Sequence, residues 1–170
     1  PSEAAIQLRA QGVATAQGLQ QTPSLGFVSQ LAQNATGSAP YSLALSFRRG
    51  VPELQVNTTL QGMALDLPAP LGKTADAQQP LRYEQMVARE SLVPVAAGAT
   101  PPPLRDQVTL DLGSIGSATY LRDLAGAQPR VLRGSMGVGL SAGESAPVVA
   151  EGVAANIRLG RVDVDAWERL

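Results

Sequence analysis

The chain has 170 residues, with 13 lysines and arginines against 14 aspartates and glutamates, no histidine and no cysteine, giving a formal net charge of −1. That length suits one domain burying roughly 70% of its unfolded-state surface, and the near-neutral, scattered charge excludes the basic footprint of a nucleic-acid binder. Without histidine the commonest general base and transition-metal ligand are missing, and without cysteine there is no thiolate or disulfide chemistry, which leaves the compartment open.

Aromatic residues make up only 4% of the chain, so its apolar surface is built from alanine, leucine and valine, chemically featureless side chains. No run approaches the 18 or more apolar residues that span a bilayer.

Ile6, Leu8, Ala10 and Gly12 alternate with Gln7, Arg9 and Gln11, which predicts a strand with one wet face. A helical turn is expected around Ala14 to Gln20, weakened by Gly18. Thr22-Pro23 offers an N-cap followed by proline at the first helical position. Leu25, Val28, Leu31 and Ala32 then recur at helical spacing, predicting a helix from Pro23 to Ala35 with Gly37 as terminator.

From Tyr41 onward the signal is nearly all strand. Tyr41, Leu43, Leu45 and Phe47 oppose Ser42, Ala44, Ser46 and Arg48, and Arg49-Gly50 turns the chain into a second strand of a hairpin. In that strand Leu54, Val56, Thr58 and Leu60 occupy even positions whereas Met63, Leu65 and Leu67 occupy odd ones, so a bulge or bend is expected at Gly62. Pro68 and Pro70 end the strand, leaving Leu67, Ala69 and Leu71 as an extended apolar lip.

Gly72 to Pro80 reads as a loop, and Leu81, Tyr83, Gln85 and Val87 restart a strand. Ala96 to Pro103, with three consecutive prolines, reads as an exposed connection. Val108, Leu110 and Leu112 follow, then a weaker segment from Ser117 to Leu121, then Leu132, Met136, Val138 and Leu140. Val153, Ala155, Ile157 and Leu159 form the last strand, with a second bulge expected at Gly160-Arg161 before Val162 and Val164. Asp165 is expected to cap a final helix that is cut short, with Trp167 packing it onto that strand, so the chain reads as a piece of a longer protein.

These elements predict a mainly β (α+β) fold: a curved, largely antiparallel sheet with one or two short helices packed on it. Residues 1–170 form a single domain, with a strand-and-helix opening over 1–37 and the sheet over 38–170. Polar residues take one side throughout, so the other side needs a helix, a second layer or a ligand over it.

Candidate chemistry is sparse. Asp163, Asp165 and Glu168 suggest a cation site, but no glycine-pinned loop supplies further oxygen ligands, so no metal is expected. Gly134-x-x-Gly137-x-Gly139 looks like a phosphate loop, yet strand alternation runs straight through it. Ser114, Ser117, Ser135 and Ser141 lack a nucleophile elbow, and Lys73, the one lysine, reads as solvated. Arg48-Arg49, Arg82, Arg130 and Arg133 read as a solvated face, with contact to lipid headgroups at a groove rim as the alternative. No catalytic residue and no cofactor are expected.

The run Gly62-Met63-Ala64-Leu65-Asp66-Leu67-Pro68-Ala69-Pro70-Leu71-Gly72-Lys73 resembles the signature of YhdP-like proteins, the large AsmA-related proteins of the bacterial envelope. Leu8-Arg9-Ala10-Gln11-Gly12 with Ala14 to Leu19 is similar to the family's strand and short helix, and Gly37 to Tyr41 to its "G-x-x-x-Y" strand opening. Arg161-Val162-Asp163-Val164-Asp165-Ala166-Trp167 resembles its "L-x-x-L-D-L-D-A-W". The excursion from Ala88 to Pro103 is longer and richer in proline than the family pattern.

The resemblance implies a segment of a U-shaped β-groove in the periplasm, part of a protein anchored in the inner membrane of a Gram-negative envelope. It also implies movement of phospholipid between inner and outer membranes over an apolar concave face. Lining candidates by phase are Leu43, Leu45, Phe47, Leu54, Val56, Leu60, Met63, Leu65, Leu67, Val108, Leu110, Leu112, Met136, Val138, Leu140, Val153, Ile157 and Leu159, some of which are expected beneath the helix instead. Expected partners are phospholipid or another acyl-chain lipid, neighbouring segments of the same protein, and envelope proteins, with no nucleic acid. The alternative is a non-catalytic structural module of an envelope scaffold, and the least favoured reading is an enzyme acting on envelope carbohydrate through two carboxylates.

Overall fold

The computed structural model describes residues 7–22, 27–94, 98–161 and 163–168, the side chains of Phe27 and Trp167 excepted. In chain order the elements are β1 (Gln7–Thr15), α1 (Ala16–Gln20), α2 (Phe27–Ala32), β2 (Ala35–Arg48), β3 (Val51–Thr58), β4 (Met63–Leu65), β5 (Leu81–Val87), β6 (Arg105–Asp111), β7 (Gly116–Asp123), β8 (Arg130–Val138), β9 (Gly152–Ile157) and α3 (Val164–Glu168). One curved, unclosed sheet runs β1-β2-β3-β5-β6-β7-β8-β9, with β4 added to β2. Every pairing is antiparallel except β8 with β9.

The hairpin joining β2 to β3 is a two-residue turn in which Arg49 and Gly50 both take positive φ, 52° and 77°, the pair of values that matches strand twist. The phase change near Gly62 is real, but it breaks the strand rather than bulging it. Leu60 and Gly62 turn left-handed at φ 51° and 96°, and the chain re-pairs as β4 with Ala35–Gly37 at the start of the long strand β2. Gly37 therefore lies inside a strand and does not terminate a helix. A side chain there would meet the Gly62 carbonyl oxygen.

Other boundaries differ from the sequence pattern for local reasons. The helical region is two short pieces. Thr15 caps α1 by accepting the Gly18 N–H at 3.0 Å, and Thr22 donates its hydroxyl proton back to the Gly18 carbonyl. Pro23, Leu25 and Ile6 lie outside the described residues, as does the side chain of Trp167. The Pro68–Pro70 segment is a turn, closed by Leu71 N–H to Pro68 O at 3.1 Å, and not an extended lip. β9 stops at Ile157 with no bulge at Gly160, Val162 being outside the described residues. Asp163, and not Asp165, caps α3 by accepting the Ala166 N–H at 3.0 Å.

The well-buried core is small. Ala16, Ala35, Ala39 and Met63 pack with Leu19, Leu60 and Leu65 where the helices and β4 meet the end of β1 and β2. Asp66 N–H reaches Asn34 O at 2.7 Å, and Gln20 Nε2 donates to Ala32 O at 2.8 Å, tying the helices to that corner. The rest of the sheet has no second layer over it among the described elements. The crossover from β8 to β9 passes over the other face, where Pro147, Val148 and Val149 lie near Gln107, Leu121 and Arg133.

Candidate functional site

Strand register sorts side chains by face, because residues directly opposite on adjacent strands point the same way. One row reads Leu8, Leu45, Leu54, Gln85, Val108, Tyr120, Gly134, Val153 across the sheet, and the next reads Ala10, Leu43, Val56, Tyr83, Leu110, Ala118, Met136, Ala155. A third row carries Gly12, Tyr41, Thr58 and Leu81 on one side of Leu112, and Gly116, Val138 and Ile157 on the other. The reverse face reads Gln11, Ser42, Asn57, Arg82, Asp111, Ser117, Gly137, Asn156. Thr58, Gln85, Asp106 and Arg122 apart, the two faces are largely segregated by polarity from edge to edge.

Most of the apolar face is only half-buried, and at the edges Leu8, Phe47, Val153 and Ile157 are exposed. Eight strands about 4.8 Å apart, with rows roughly 6.7 Å apart, give a stripe on the order of 500 Å² in plan. That is as large as the largest apolar patch on a typical soluble monomer, a size that marks an interaction surface. Between the sheet and the 66–73 loop lies a cavity of about 270 Å³, lined by Pro70, Leu71, Leu110, Leu112, Met136, Val138, Ile157 and Leu159. The turn at Pro68–Pro70 holds two of these residues over the sheet.

Of the sequence candidates, Leu43, Leu45, Phe47, Leu54, Val56, Val108, Leu110, Met136, Val138, Val153 and Ile157 share the apolar face, and Leu112 and Leu159 reach it at strand ends. Leu60, Met63 and Leu65 belong instead to the core beneath the helices, Met63 being 2% exposed. Leu67 sits half-buried in the loop. Leu140 is on the wrong side: Gly139 turns left-handed at φ 63°, and Leu140 folds against Gly137 on the polar face.

One polar network interrupts the apolar face. Asp106, fully buried, accepts Arg122 Nε at 2.9 Å and Arg122 Nη2 at 2.6 Å, a bidentate pair, and also Gln85 Nε2 at 2.9 Å. Tyr83 donates its hydroxyl proton to Gln85 Oε1 at 3.3 Å. Burial pushes the Tyr83 phenol above its ordinary value, with Arg122 opposing, and the hydrogen bonds that Arg122 donates to Asp106 push the Arg122 guanidinium upward. The pairing disposes of the buried charge. Alternation with Leu81 and Val108 places all four residues in phase, which is the signal that finds them.

Lys73 is not solvated but caged. Its ammonium donates to the carbonyls of Leu60 at 2.9 Å, Met63 at 2.5 Å and Thr74 at 2.9 Å, while the backbone of Lys73 bridges to Leu65. Desolvation lowers its pKa, Asp76 opposing. The residue clasps the β4 loop and presents no free amine for catalysis. Ser91 is likewise structural: fully buried, it donates to Pro103 O at 2.8 Å, receives Arg105 N–H at 2.9 Å, and its carbonyl accepts Arg49 Nη1. Among the described residues no group of three or more carboxylates gathers as a metal site.

The arrangement defines a mainly β protein whose polar and apolar residues occupy opposite faces of one open sheet. Searches of family models, curated proteins and solved structures return no match to this chain.

Proposed function

We propose that this chain is a segment of a periplasmic bridge that moves phospholipid between the inner and outer membranes of a Gram-negative envelope, without catalysis. The observation that carries the reading is the apolar stripe, two to three rows deep, that runs from β1 to β9 and is left open along most of its length, the 66–73 loop covering one end. Each acyl methylene held against it and out of water is worth about 0.8 kcal/mol, so such a surface carries lipid with no reactive group. The resemblance of Gly62 to Lys73 to YhdP-like proteins supplies the compartment and the inner-membrane anchor. β1 and β9 each leave one edge unpaired among the described residues, which suits continuation of the sheet into neighbouring segments of the same protein.

Photo-crosslinkers at Leu45, Val56 and Val138 are expected to label phospholipid, while the same probe at Gln55 and Thr109 on the reverse face stays silent. Silence at all three apolar positions overturns the reading. The unpaired edges also favour a second one, a non-catalytic module of an envelope scaffold that binds partners by strand addition. Partner binding that survives charged substitutions at Val56 and Leu110 supports it over lipid transport.

A further inference from the structure

The sheet is asymmetric along its strands, and we infer that phospholipid lies across the stripe, parallel to the strands, with its phosphate at Arg122 and its acyl tips in the cavity beneath Leu71. This rests on the lipid-carrying reading and adds an orientation and a headgroup contact to it. Arg122 sits on the apolar face at the strand end opposite the cavity, its Nε and one Nη locked by Asp106. Its remaining Nη meets no acceptor among the described residues, and the side chain keeps 24% exposure. A guanidinium pre-oriented by a buried carboxylate, with one fork arm open at an apolar surface, presents the donor geometry a phosphodiester takes.

The other strand arginines at that end do not share the face of Arg122: Arg48, Arg105 and Arg130 are in phase with the reverse face and pair with Glu53, Glu90 and Asp123, so among them Arg122 alone is in phase with the apolar rows. Length agrees with this orientation. From Arg122 to Gly116 along β7 is six residues, about 20 Å, enough for an acyl chain that fills about 15 Å of one bilayer leaflet. The apolar lid of Pro70 and Leu71 stands where the chain tips fall.

The test uses two phosphatidylethanolamines bound to the full chain, one with a diazirine at the acyl terminus and one with it beside the ester, read by peptide mass spectrometry. The terminal probe is expected to label Leu71, Leu112 and Ile157 at least five-fold over Val108 and Tyr120, and the ester-side probe to reverse that ratio. Equal or inverted ratios overturn the orientation while leaving lipid binding intact. Labelling at neither set overturns the lipid reading itself. A diacylglycerol with the same terminal probe is expected to lose the preference, and retention of it rules out the phosphate contact. The double variant Asp106→Asn/Arg122→Gln, which leaves no unpaired buried charge and whose folding is checked by circular dichroism, is expected to bring the ratio for phosphatidylethanolamine close to one. An unchanged ratio in that folded variant removes Arg122 from the contact.

Discussion

Tyr120 lies across Gly134 on the neighbouring strand, so closely that a Cβ built on Gly134 stands 2.5 Å from Tyr120 Cδ1 and 2.7 Å from Cε1. Tyr41 covers Gly12 in the same way, with a built Cβ 3.0 Å from its hydroxyl oxygen. Both tyrosines flatten onto the apolar face over a glycine on the adjacent strand, next to a sheet edge, keeping the stripe shallow while shielding bare backbone. The two glycines differ in how much room remains. Gly134→Ala is expected to cost about 1–3 kcal/mol as the Tyr120 ring is displaced, and Gly12→Ala under about 1 kcal/mol. Urea midpoints of the two variants give the order, and equal values refute the packing argument.

Removing Arg122 leaves Asp106 buried without its cation. Arg122→Met is expected to destabilise the fold by about 3–5 kcal/mol, and Asp106→Asn by less because the amide still pairs with Gln85. The double substitution Asp106→Leu/Arg122→Met is expected to recover much of the loss, a non-additivity that a double-mutant cycle measures directly. Additive losses show that the pair is solvated in solution.

Ser91 supplies a prediction of a different kind, since its hydroxyl replaces a missing strand partner at the start of β6. Ser91→Ala leaves the Arg105 N–H without an acceptor at a cost of about 1–3 kcal/mol. Amide exchange at Arg105 and Ala88, whose N–H bonds Arg105 O at 2.9 Å, is expected to accelerate while exchange in β2 and β3 is unchanged.

The sheet was legible in the sequence wherever period two was undisturbed: Tyr41 to Phe47, Leu81 to Val87 and Val108 to Leu110 lie on the face their alternation predicts. Errors cluster where a left-handed residue changes direction. Gly37, Leu60 and Gly139 each rotate the chain out of phase, so in sequence Gly37 reads as a helix end and plain alternation carries Leu140 onto the wrong face. Local propensity has no access to the tertiary pairing of β4 with Ala35–Gly37 that decides the first. Lys73 and Ser91 were illegible for another reason. Their roles depend on carbonyls brought in from Leu60, Met63 and Pro103, separations that no spacing rule encodes.

Tyr83 carries the pH dependence. Burial raises its folded pKa above the ordinary tyrosine value near 10, so between those two values the unfolded chain has released a proton that the folded chain still holds. Its contribution is intact below the ordinary value and is lost as pH climbs from there through the raised folded value. Tyr83→Phe is therefore expected to flatten the fall in stability above pH 10 relative to the parent chain, as measured by denaturation at a series of alkaline pH values. Parallel curves for the two proteins refute the burial of the phenol.

Val56 separates the fold from its use. It is half-buried, midway along β3 on the apolar face, between Leu43 and Tyr83 on the adjacent strands. A carboxylate there keeps water on its open side in the lipid-free protein, so Val56→Asp is expected to retain the far-ultraviolet circular dichroism of the parent at a cost of about 1–3 kcal/mol. Once acyl chains cover the stripe, the same carboxylate is held in hydrocarbon, where an aspartate costs about 2.5–3.5 kcal/mol, so bound lipid falls by roughly 100-fold. Asn57→Asp, one residue away on the polar face and directly opposite Arg82, is the matched control and leaves both quantities unchanged. Equal lipid capture by the two aspartate variants shows that acyl chains do not rest on this face, whatever the stability of the sheet.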